Sequence, residues 1–429
     1  MKTVSFHLMP YPELPEDFAQ KHRSVWVDID PSLFDPAVGH QAYNDYIDEL
    51  EHAARVGFDG VGINEHHSNA YGLMPSPNII AATLARTCPD AAIVVLGDSV
   101  ALYNPPLRVA EELAMLDCIT GGRMVAGFPV GSPMDTMFAY GQNPATLRER
   151  YHEGVELIVR AWTEPEVFSF NGHYNKLRYV NVWPRPVQKP HPPIWIPGGG
   201  SIDTWEWCAQ EEQVYLYLSY FGYKAGLKTM QGYWAKVREL GKEPNPFMGG
   251  FAQFFGVASS EKEARELYRE PAEYFFNRCL HVYAGFAEPP GYKTVNTVRA
   301  GIEGMVERAA REATARAAEF KKTAVAKQAL SFDDMVEQGY VIIGDPDQVA
   351  ERTAELARSL NIGHLMALCH FGNMPKDLVM HNQELMATKV LPQVRNLFED
   401  EWENRWWPKN AGHAATAPTT PASVGSVTA

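Results

Sequence analysis

A glutamate and two histidines stand together in the stretch Asn64-Glu65-His66-His67, directly after a short apolar run. Such residues can bind a metal ion or transfer protons near neutral pH. Adjacent residues at the end of an extended strand point to opposite sides, so His66 and His67 are poorly placed to share one ion, and no further dense His/Asp cluster supplies a third zinc ligand. We therefore expect no metal and interpret Glu65, His66 and His67 as catalytic residues. The alternative is a buried Glu–His pair that braces the fold.

A glycine triplet, Gly198-Gly199-Gly200, precedes Ser201 and Thr204. Glycines permit close approach of the backbone to a ligand, and Ser201 stands at the expected N-cap of a helix over about 203–210. The free N–H groups and the dipole at such a helix start bind anions. The segment therefore predicts a phosphate site that includes Gly199, Gly200, Ser201 and Thr204. A flexible turn capped by Ser201 is the alternative.

Charge and cysteine usage narrow the class of protein. The 429 residues carry a formal net charge of −14, which argues against nucleic acid or an anionic membrane as the main partner. A phosphorylated cofactor needs only a local group of donors and stays compatible with that charge. The five cysteines are scattered without a CxxC pair, which is typical of reduced thiols in the cytoplasm. We expect no signal peptide and no membrane span, since no run of 18 apolar residues occurs.

The elements that must position these residues are short apolar strands alternating with helices. Continuous apolar runs are typical of strands covered on both faces of a parallel sheet. Eight alternating strands and helices predict a TIM (β/α)8 barrel; a doubly wound sheet, which usually has fewer strands, is the alternative. The eight predicted strands are Val4–Met9, Gly60–Asn64, Ala91–Leu96, Met124–Phe128, Pro193–Ile196, Val214–Leu218, Phe251–Val257 and His364–Cys369.

The sequence also predicts where several helices begin and end. The spacing of apolar residues predicts a helix that ends at Gly57, a second from Leu107 to Ile119 and a third from Leu147 to Trp162. Asp345-Pro346 has the composition of a helix start, and we expect that helix to end near Leu360 and be closed by Gly363.

Three segments depart from the βα rhythm. Residues 164–193 predict a long loop with a hairpin, and residues 261–341 predict a helical insertion before the last strand. Residues 411–429 are rich in Ala, Thr, Pro, Ser and Gly, so we expect a disordered tail behind a single barrel domain over 1–410.

The motifs resemble, in order along the chain, those of the bacterial luciferase-like flavin-dependent monooxygenases. The resemblance lies in the stretch 64–73 with its Glu-His-His signature, in the segment from Leu96 through Gly121-Gly122-Arg123, in Ile343-Gly344-Asp345-Pro346 and in residues 371–375. It covers about 2–395. The resemblance implies a TIM barrel that binds FMN at its mouth, takes reduced flavin (FMNH₂) from a separate NAD(P)H:flavin reductase, and uses O₂ as co-substrate. It also implies a homodimer packed through helices early in the barrel.

The resemblance assigns roles to individual residues. His66 matches the first histidine of the signature, which is implicated in stabilising the flavin–oxygen adduct. Ser201, Thr204 and Arg148 match residues that bind the flavin phosphate. Gly97-Asp98-Ser99 falls where relatives carry a non-prolyl cis peptide against the flavin ring, so Gly97, Asp98 and Ser99 are expected to bind the cofactor, with the cis bond at Gly97–Asp98 or Asp98–Ser99. Pro129-Val130 replaces a Cys-Arg pair of luciferase, which argues against light emission from an aldehyde.

The resulting hypothesis is an FMNH₂-dependent monooxygenase acting on an apolar or aromatic small molecule. The alternatives are an F420-dependent dehydrogenase of the same barrel family, a non-catalytic flavin-binding subunit and a metal hydrolase. Aromatic residues in the segments expected at the barrel mouth favour an apolar substrate, although core packing is their usual role. The candidates for the substrate pocket are Trp26, Tyr71, Phe128, His370 and Phe371, with Phe6 and Trp195 also expected near the mouth.

Overall fold

A computed structural model describes residues 1–218, 220–299, 302 and 330–412. Eight parallel strands close into a barrel. Lys2–Phe6 (β1) pairs with Gly60–Ile63 (β2) on one side and with His364–Leu368 (β11) on the other, and Val214–Tyr217 (β8) pairs with Gly249–Val257 (β9). The predicted TIM barrel is therefore confirmed. The barrel strands are β1 (Lys2–Phe6), β2 (Gly60–Ile63), β3 (Ala92–Leu96), β4 (Met124–Gly127), β7 (Ile194–Gly198), β8 (Val214–Tyr217), β9 (Gly249–Val257) and β11 (His364–Leu368).

Three further strands lie outside the barrel ring. β5 (Phe168–Asn171) and β6 (Lys176–Val180) form an antiparallel hairpin, as expected for residues 164–193. β10 (Val341–Gly344) pairs in parallel with Phe254–Val257, the second half of β9. The sequence prediction placed Val341 at the end of the helical insertion and missed this strand. The reason is that β9 is nine residues long, so its end extends past its neighbours and offers a free edge to a four-residue strand.

Helices surround the barrel. Among the described residues they are α1 (Phe18–Lys21), α2 (Pro36–Val56), α3 (Pro77–Thr87), α4 (Leu107–Thr120), α5 (Pro144–Thr163), α6 (Ile202–Glu211), α7 (Gly222–Glu239), α8 (Glu261–Tyr274), α9 (Ala284–Ala287), α10 (Phe332–Glu337), α11 (Pro346–Leu360), α12 (Lys376–Leu385) and α13 (Leu391–Val394). Residues 295–299 are also helical. Short 3₁₀ turns cover Pro31–Leu33, Val100–Leu102 and Pro246–Met248, and π-helical turns cover Met134–Ala139, Phe275–Cys279 and Met386–Val390.

The helix ends follow the local chemistry of the sequence. Gly57 closes α2 in the left-handed conformation, as predicted, and Asp345 forms a capping box with Gln348 at the start of α11. The predicted closure of α11 by Gly363 is wrong, because Asn361 adopts the left-handed conformation two residues earlier. Asparagine tolerates that conformation better than most residues.

Within the predicted insertion, residues 261–279, 284–287, 295–299 and 332–337 are helical, whereas 280–283 and 288–294 are not; residues 300, 301 and 303–329 lie outside the described residues. The expected disordered tail lies outside them as well, apart from residues 411 and 412.

The chain before the tail packs across the barrel bottom, where the Trp195 indole donates to the Trp406 carbonyl at 3.1 Å. Trp195 therefore lies at the end opposite the mouth, because it begins β7 rather than ending it. No helix in the described ranges is long and apolar enough to cross a membrane.

Candidate functional site

A cavity of about 510 Å³ opens at the carboxyl ends of the barrel strands. Its volume falls within the range of small-molecule sites, and this end of a TIM barrel carries the active site in characterised enzymes. Loops after β2, β3, β4 and β7 contribute to it. The predicted site residues that line the cavity are Glu65, His66, Ser99, Arg148, Gly199, Gly200, Ser201 and Thr204. A larger groove of about 1100 Å³ lies outside the barrel, beside α5 and Trp406, and contains none of them.

His66 is held by a buried carboxylate. Its Nδ1 lies 2.9 Å from Oδ2 of Asp135, which also accepts a hydrogen bond from Ser132 Oγ at 2.9 Å. The other carboxylate oxygen of Asp135 accepts from Trp26 Nε1 at 2.8 Å and from the His67 amide at 2.9 Å. Burial by itself would raise the pKa of Asp135, but His66 and these donors lower it overall. Asp135 is therefore an ionised group that orients the imidazole.

Sequence reasoning missed Asp135. It lies in the π-helical turn Met134–Ala139, 69 residues after His66 in the chain. The only available signal was its place in the loop after β4, and π-helical turns are often found at functional sites.

Glu65 and His67 form a second pair. His67 Nε2 lies 2.8 Å from Glu65 Oε1, which also accepts from the Tyr103 hydroxyl at 3.2 Å. The Ser99 amide donates to Glu65 Oε2 at 2.5 Å. The Tyr140 hydroxyl lies 3.2 Å from His67 Nδ1. Glu65 thus links the loops after β2 and β3 at the cavity wall, while His66 and His67 turn to different carboxylates, as the alternation of side chains requires.

The backbone between Leu96 and Asp98 packs closely against β4. A Cβ added to Gly97 would lie 1.9 Å from the Gly127 carbonyl oxygen, so no other residue fits there. The non-prolyl cis peptide is at Leu96–Gly97. The prediction of a cis bond at Gly97–Asp98 or Asp98–Ser99 is therefore wrong by one position, because the turn that ends β3 begins before the glycine. Ser99 lines the cavity, whereas the Asp98 side chain is fully buried behind it.

An arginine and two hydroxyls form the polar end of the cavity. Arg148, from α5, donates to Ser201 Oγ at 2.9 Å and to Thr204 Oγ1 at 3.1 Å. Ser201 is the N-cap of α6, as predicted, but its side chain accepts from Arg148 rather than from the helix backbone. The Thr204 amide donates to the Ser201 carbonyl at 3.2 Å, whereas the Ile202 and Asp203 amides before it have no partner among the described residues and can bind an anion.

Two buried polar atoms of the cavity lining have no hydrogen-bond partner among the residues that the structure describes. They are Arg148 Nε and Asn64 Oδ1. Buried polar groups are usually hydrogen-bonded, so unpaired atoms that line a cavity indicate a polar ligand. A cationic guanidinium, two hydroxyls and a helix N-terminus fit a phosphate group, and side chains added at Gly199 or Gly200 would meet no close contact, which leaves space for a bound molecule.

The insertion contributes residues that sequence analysis did not assign. Glu288, Tyr292, Lys293 and Thr297 line the cavity beside Arg148. The Tyr292 hydroxyl donates to the Gly131 carbonyl at 2.5 Å, which joins this segment to the loop after β4. Burial raises the pKa of Tyr292 to about 12. No local pattern in the insertion pointed to this contact.

The predicted substrate residues divide into two groups. Trp26 and Tyr71 stack with ring centroids 4.6 Å apart, and both rings contact His66 edge-on. They therefore support His66 rather than line the cavity. The remaining candidates lie elsewhere, because all are buried in other packing: Phe128 contacts Trp162, Phe371 contacts Phe254 and Tyr268, and His370 pairs with Glu49.

His7, Glu49 and His370 offer ligand atoms within 4.8 Å of one another and are all buried. His7 Nε2 and His370 Nδ1 both lie within 2.9 Å of Glu49 Oε2. The Met9 amide donates to His7 Nδ1 at 2.8 Å, so the ring proton of neutral His7 is on Nε2 and points at Glu49. This arrangement fits a hydrogen-bonded clamp between α2 and the ends of β1 and β11 better than a metal site.

The profile of the luciferase-like monooxygenase family matches residues 27–361. The oxygenase component of flavin-dependent trigonelline monooxygenase from Acinetobacter baylyi is 28% identical over 161 residues, which cover 36% of this chain and 43% of that protein. The chain spans less than half the length of the first curated relatives it matches.

Two solved structures share the fold. The oxygenating constituent of 3,6-diketocamphane monooxygenase from Pseudomonas putida, in complex with FMN, has a TM-score of 0.66 at 18% identity, covering 91% of this chain and 98% of that one. An F420-dependent secondary alcohol dehydrogenase has a TM-score of 0.59 at 16% identity, covering 82% and 95%. At these identities the likeness extends to the barrel alone.

Proposed function

The chain belongs to the luciferase-like monooxygenase family, and from that premise we propose that it is the oxygenase component of a two-component flavin-dependent monooxygenase. It takes reduced FMN from a separate NAD(P)H:flavin reductase. The overall reaction consumes reduced FMN, O₂ and an organic substrate, and it yields oxidised FMN, water and a product that contains one oxygen atom. The similarity to the trigonelline monooxygenase of Acinetobacter baylyi, which is itself an oxygenase component, supports this assignment.

The observation that carries the proposal is the cluster of hydrogen-bond donors around Arg148 at one end of the cavity. The Arg148 guanidinium, the Ser201 and Thr204 hydroxyls and the free N–H groups of α6 converge there. His66 lies in the lining of the same cavity, so a flavin whose phosphate is held by Arg148, Ser201 and Thr204 would share its pocket with the imidazole. When bound, the reduced flavin supplies the electrons that activate O₂.

His66 serves as the proton-transferring group. Because Asp135 engages Nδ1, Nε2 is the nitrogen that can hold or give up a proton toward a bound ligand. The Trp26 and Tyr71 rings contact the imidazole edge-on and hold it from its other sides. A fixed proton donor beside the flavin would favour productive oxygenation over loss of peroxide.

An apolar or aromatic substrate fits the remainder of the cavity. Pro129 and Val130 line it where luciferase carries a polar pair, and Leu96 and Leu218 add further apolar surface.

We also propose a cytoplasmic homodimer that packs through α3 and α4. Ile79 of α3 and Met115 and Ile119 of α4 support it, because these large apolar side chains are exposed on neighbouring helices.

Oxygen uptake and flavin spectroscopy test the proposal. Purified protein, FMN, NADH and a generic flavin reductase are incubated with a panel of alkanes, aldehydes, terpenes, ketones and aromatic compounds. Substrate-dependent O₂ uptake with a product heavier by one oxygen is expected. The likeness to the F420-dependent alcohol dehydrogenase makes F420 the alternative cofactor. Tight binding of F420 with alcohol-dependent reduction, and no O₂ uptake with FMN, would overturn the monooxygenase assignment in its favour.

A further inference from the structure

Asp98 lies in the middle of a buried cluster of polar groups behind the cavity wall. Its side chain is fully buried. The titratable and polar groups that face it are Glu65 from the loop after β2, Tyr103, Glu112 from α4 and the Asn78 amide from α3. The Asp98 amide donates to the Gly127 carbonyl at 3.0 Å, which fixes the backbone against β4.

The carboxyl groups of Glu65 and Asp98 differ in the number of hydrogen-bond donors that surround them. Glu65 accepts from the Ser99 amide at 2.5 Å and the Tyr103 hydroxyl at 3.2 Å, and its Oε1 lies 2.8 Å from His67 Nε2. A carboxylate with three such partners is well suited to carry a charge.

Asp98 lacks comparable support. Oδ1 accepts from Asn78 Nδ2 at 2.9 Å and lies 3.4 Å from the Tyr103 hydroxyl, while Oδ2 is buried without a partner. Among the described residues, no cationic side chain pairs with Asp98. The arginine on α4, Arg108, pairs with Glu112 instead. A buried carboxylate in this position would be an uncompensated charge next to two other acidic groups.

The Tyr103 hydroxyl reaches both carboxyl groups but carries one proton. If it donates to Glu65, Asp98 can approach the tyrosine oxygen favourably only by donating a proton of its own. We propose that Asp98 is a protonated carboxylic acid in the resting protein, that it shares its proton with Glu65 through Tyr103, and that it thereby positions the Glu65–His67 pair at the cavity wall.

Electrostatics agree with the geometry. Burial, followed by the charges of Glu65 and Glu112, raises the pKa of Asp98 well above its ordinary value. The role of this acid in positioning Glu65 for oxygenation rests on the proposed function. The protonation of Asp98 is a property of the protein alone, so it can be tested without flavin or substrate. A negative result would therefore refute the protonated Asp98 without bearing on the monooxygenase assignment.

Infrared spectroscopy of the full-length protein tests the protonation state. At neutral pH the wild type is expected to show the carbonyl stretch of a buried carboxylic acid, and Asp98→Asn should lose this band. Asp117→Asn is the matched control, because Asp117 is equally buried but accepts from Gln188 on both oxygens; it should keep the band. Tyr103→Phe should shift the band by removing its partner. Absence of any band sensitive to Asp98→Asn would overturn the proposal.

The pH dependence of stability gives an independent readout. A raised native pKa stabilises the fold below the unfolded value of 3.8, and this contribution is lost as pH rises toward the native pKa. Asparagine needs no proton, so the melting temperature of Asp98→Asn should rise relative to wild type as pH increases above 3.8. Asp117→Asn should show no such trend. A difference between Asp98→Asn and wild type that does not change with pH would contradict a protonated Asp98.

Discussion

Replacement of Arg148 by alanine is expected to weaken FMN binding selectively. The guanidinium holds Ser201 Oγ at 2.9 Å and Thr204 Oγ1 at 3.1 Å, and its Nε is buried without a partner. A phosphate in this position would accept charge-assisted hydrogen bonds from it, each contributing about 1.5–3 kcal/mol. At about 1.4 kcal/mol per tenfold change, loss of one such bond raises the Kd roughly 10- to 150-fold.

Because Arg148 is half-buried, solvent screens part of this interaction. We therefore expect the lower half of that range, a Kd raised about 10- to 30-fold, for oxidised FMN. Riboflavin has the same ring system but no phosphate, so its affinity should change by less than about twofold, since no charge-assisted bond is lost. Flavin fluorescence quenching measures both affinities on the same protein preparation.

Arg150→Ala is the matched control. It lies on the same helix and removes the same charge, but its guanidinium lies over the Tyr174 ring, 5.8 Å from the centroid, and outside the cavity lining. Ser201→Ala should reduce FMN affinity less than Arg148→Ala, because a neutral hydroxyl contributes about 0.5–1.5 kcal/mol. Equal losses of FMN and riboflavin affinity in Arg148→Ala, with thermal stability retained, would refute the phosphate assignment.

Four further outcomes are expected. His66→Ala should bind FMN but release more peroxide and form less product per O₂ consumed; unchanged coupling would remove His66 from the mechanism. Asp135→Asn should lower coupling less than His66→Ala, because asparagine keeps the imidazole in place but offers one acceptor oxygen instead of two and lacks the charge that orients the ring; wild-type coupling would exclude that role. Burial lowers the pKa of His7 from 6.5 to about 4, and His370 and His7 hold the pKa of Glu49 at about 2 although burial opposes this. The unfolded chain therefore binds more protons than the folded protein on both groups, so the melting temperature should fall as the pH drops below 6.5, where unfolded His7 is protonated, and further below 4.5, where unfolded Glu49 is protonated. A melting temperature that does not change with pH in scanning calorimetry would contradict the hydrogen-bonded clamp. Light scattering should give a dimer, with Ile119→Lys shifting it toward a monomer, and a monomeric wild type would contradict the proposed α3–α4 interface.

The barrel was predictable because its signals are local. Apolar runs such as Ala92–Leu96 are buried on both faces, and helix boundaries such as Gly57 and Asp345 depend on a few neighbouring residues. The sequence did not predict β10, because the formation of this strand depends on a distant segment. Its four residues become a strand only because the end of β9 extends past the ring, and that length is set by pairings with distant segments.

The same distinction applies to the candidate site. The sequence by itself indicated the Glu-His-His motif, the helix N-cap at Ser201 and the glycines around them, since each follows from residue type and position in an element. The tertiary structure alone brought Asp135 to His66 and Tyr292 to Gly131, and it separated Phe128, His370 and Phe371 from the cavity. Carboxylate–imidazole and hydroxyl–carbonyl contacts form between loops whose distance in space is fixed by barrel closure. No pattern within either loop determines that distance.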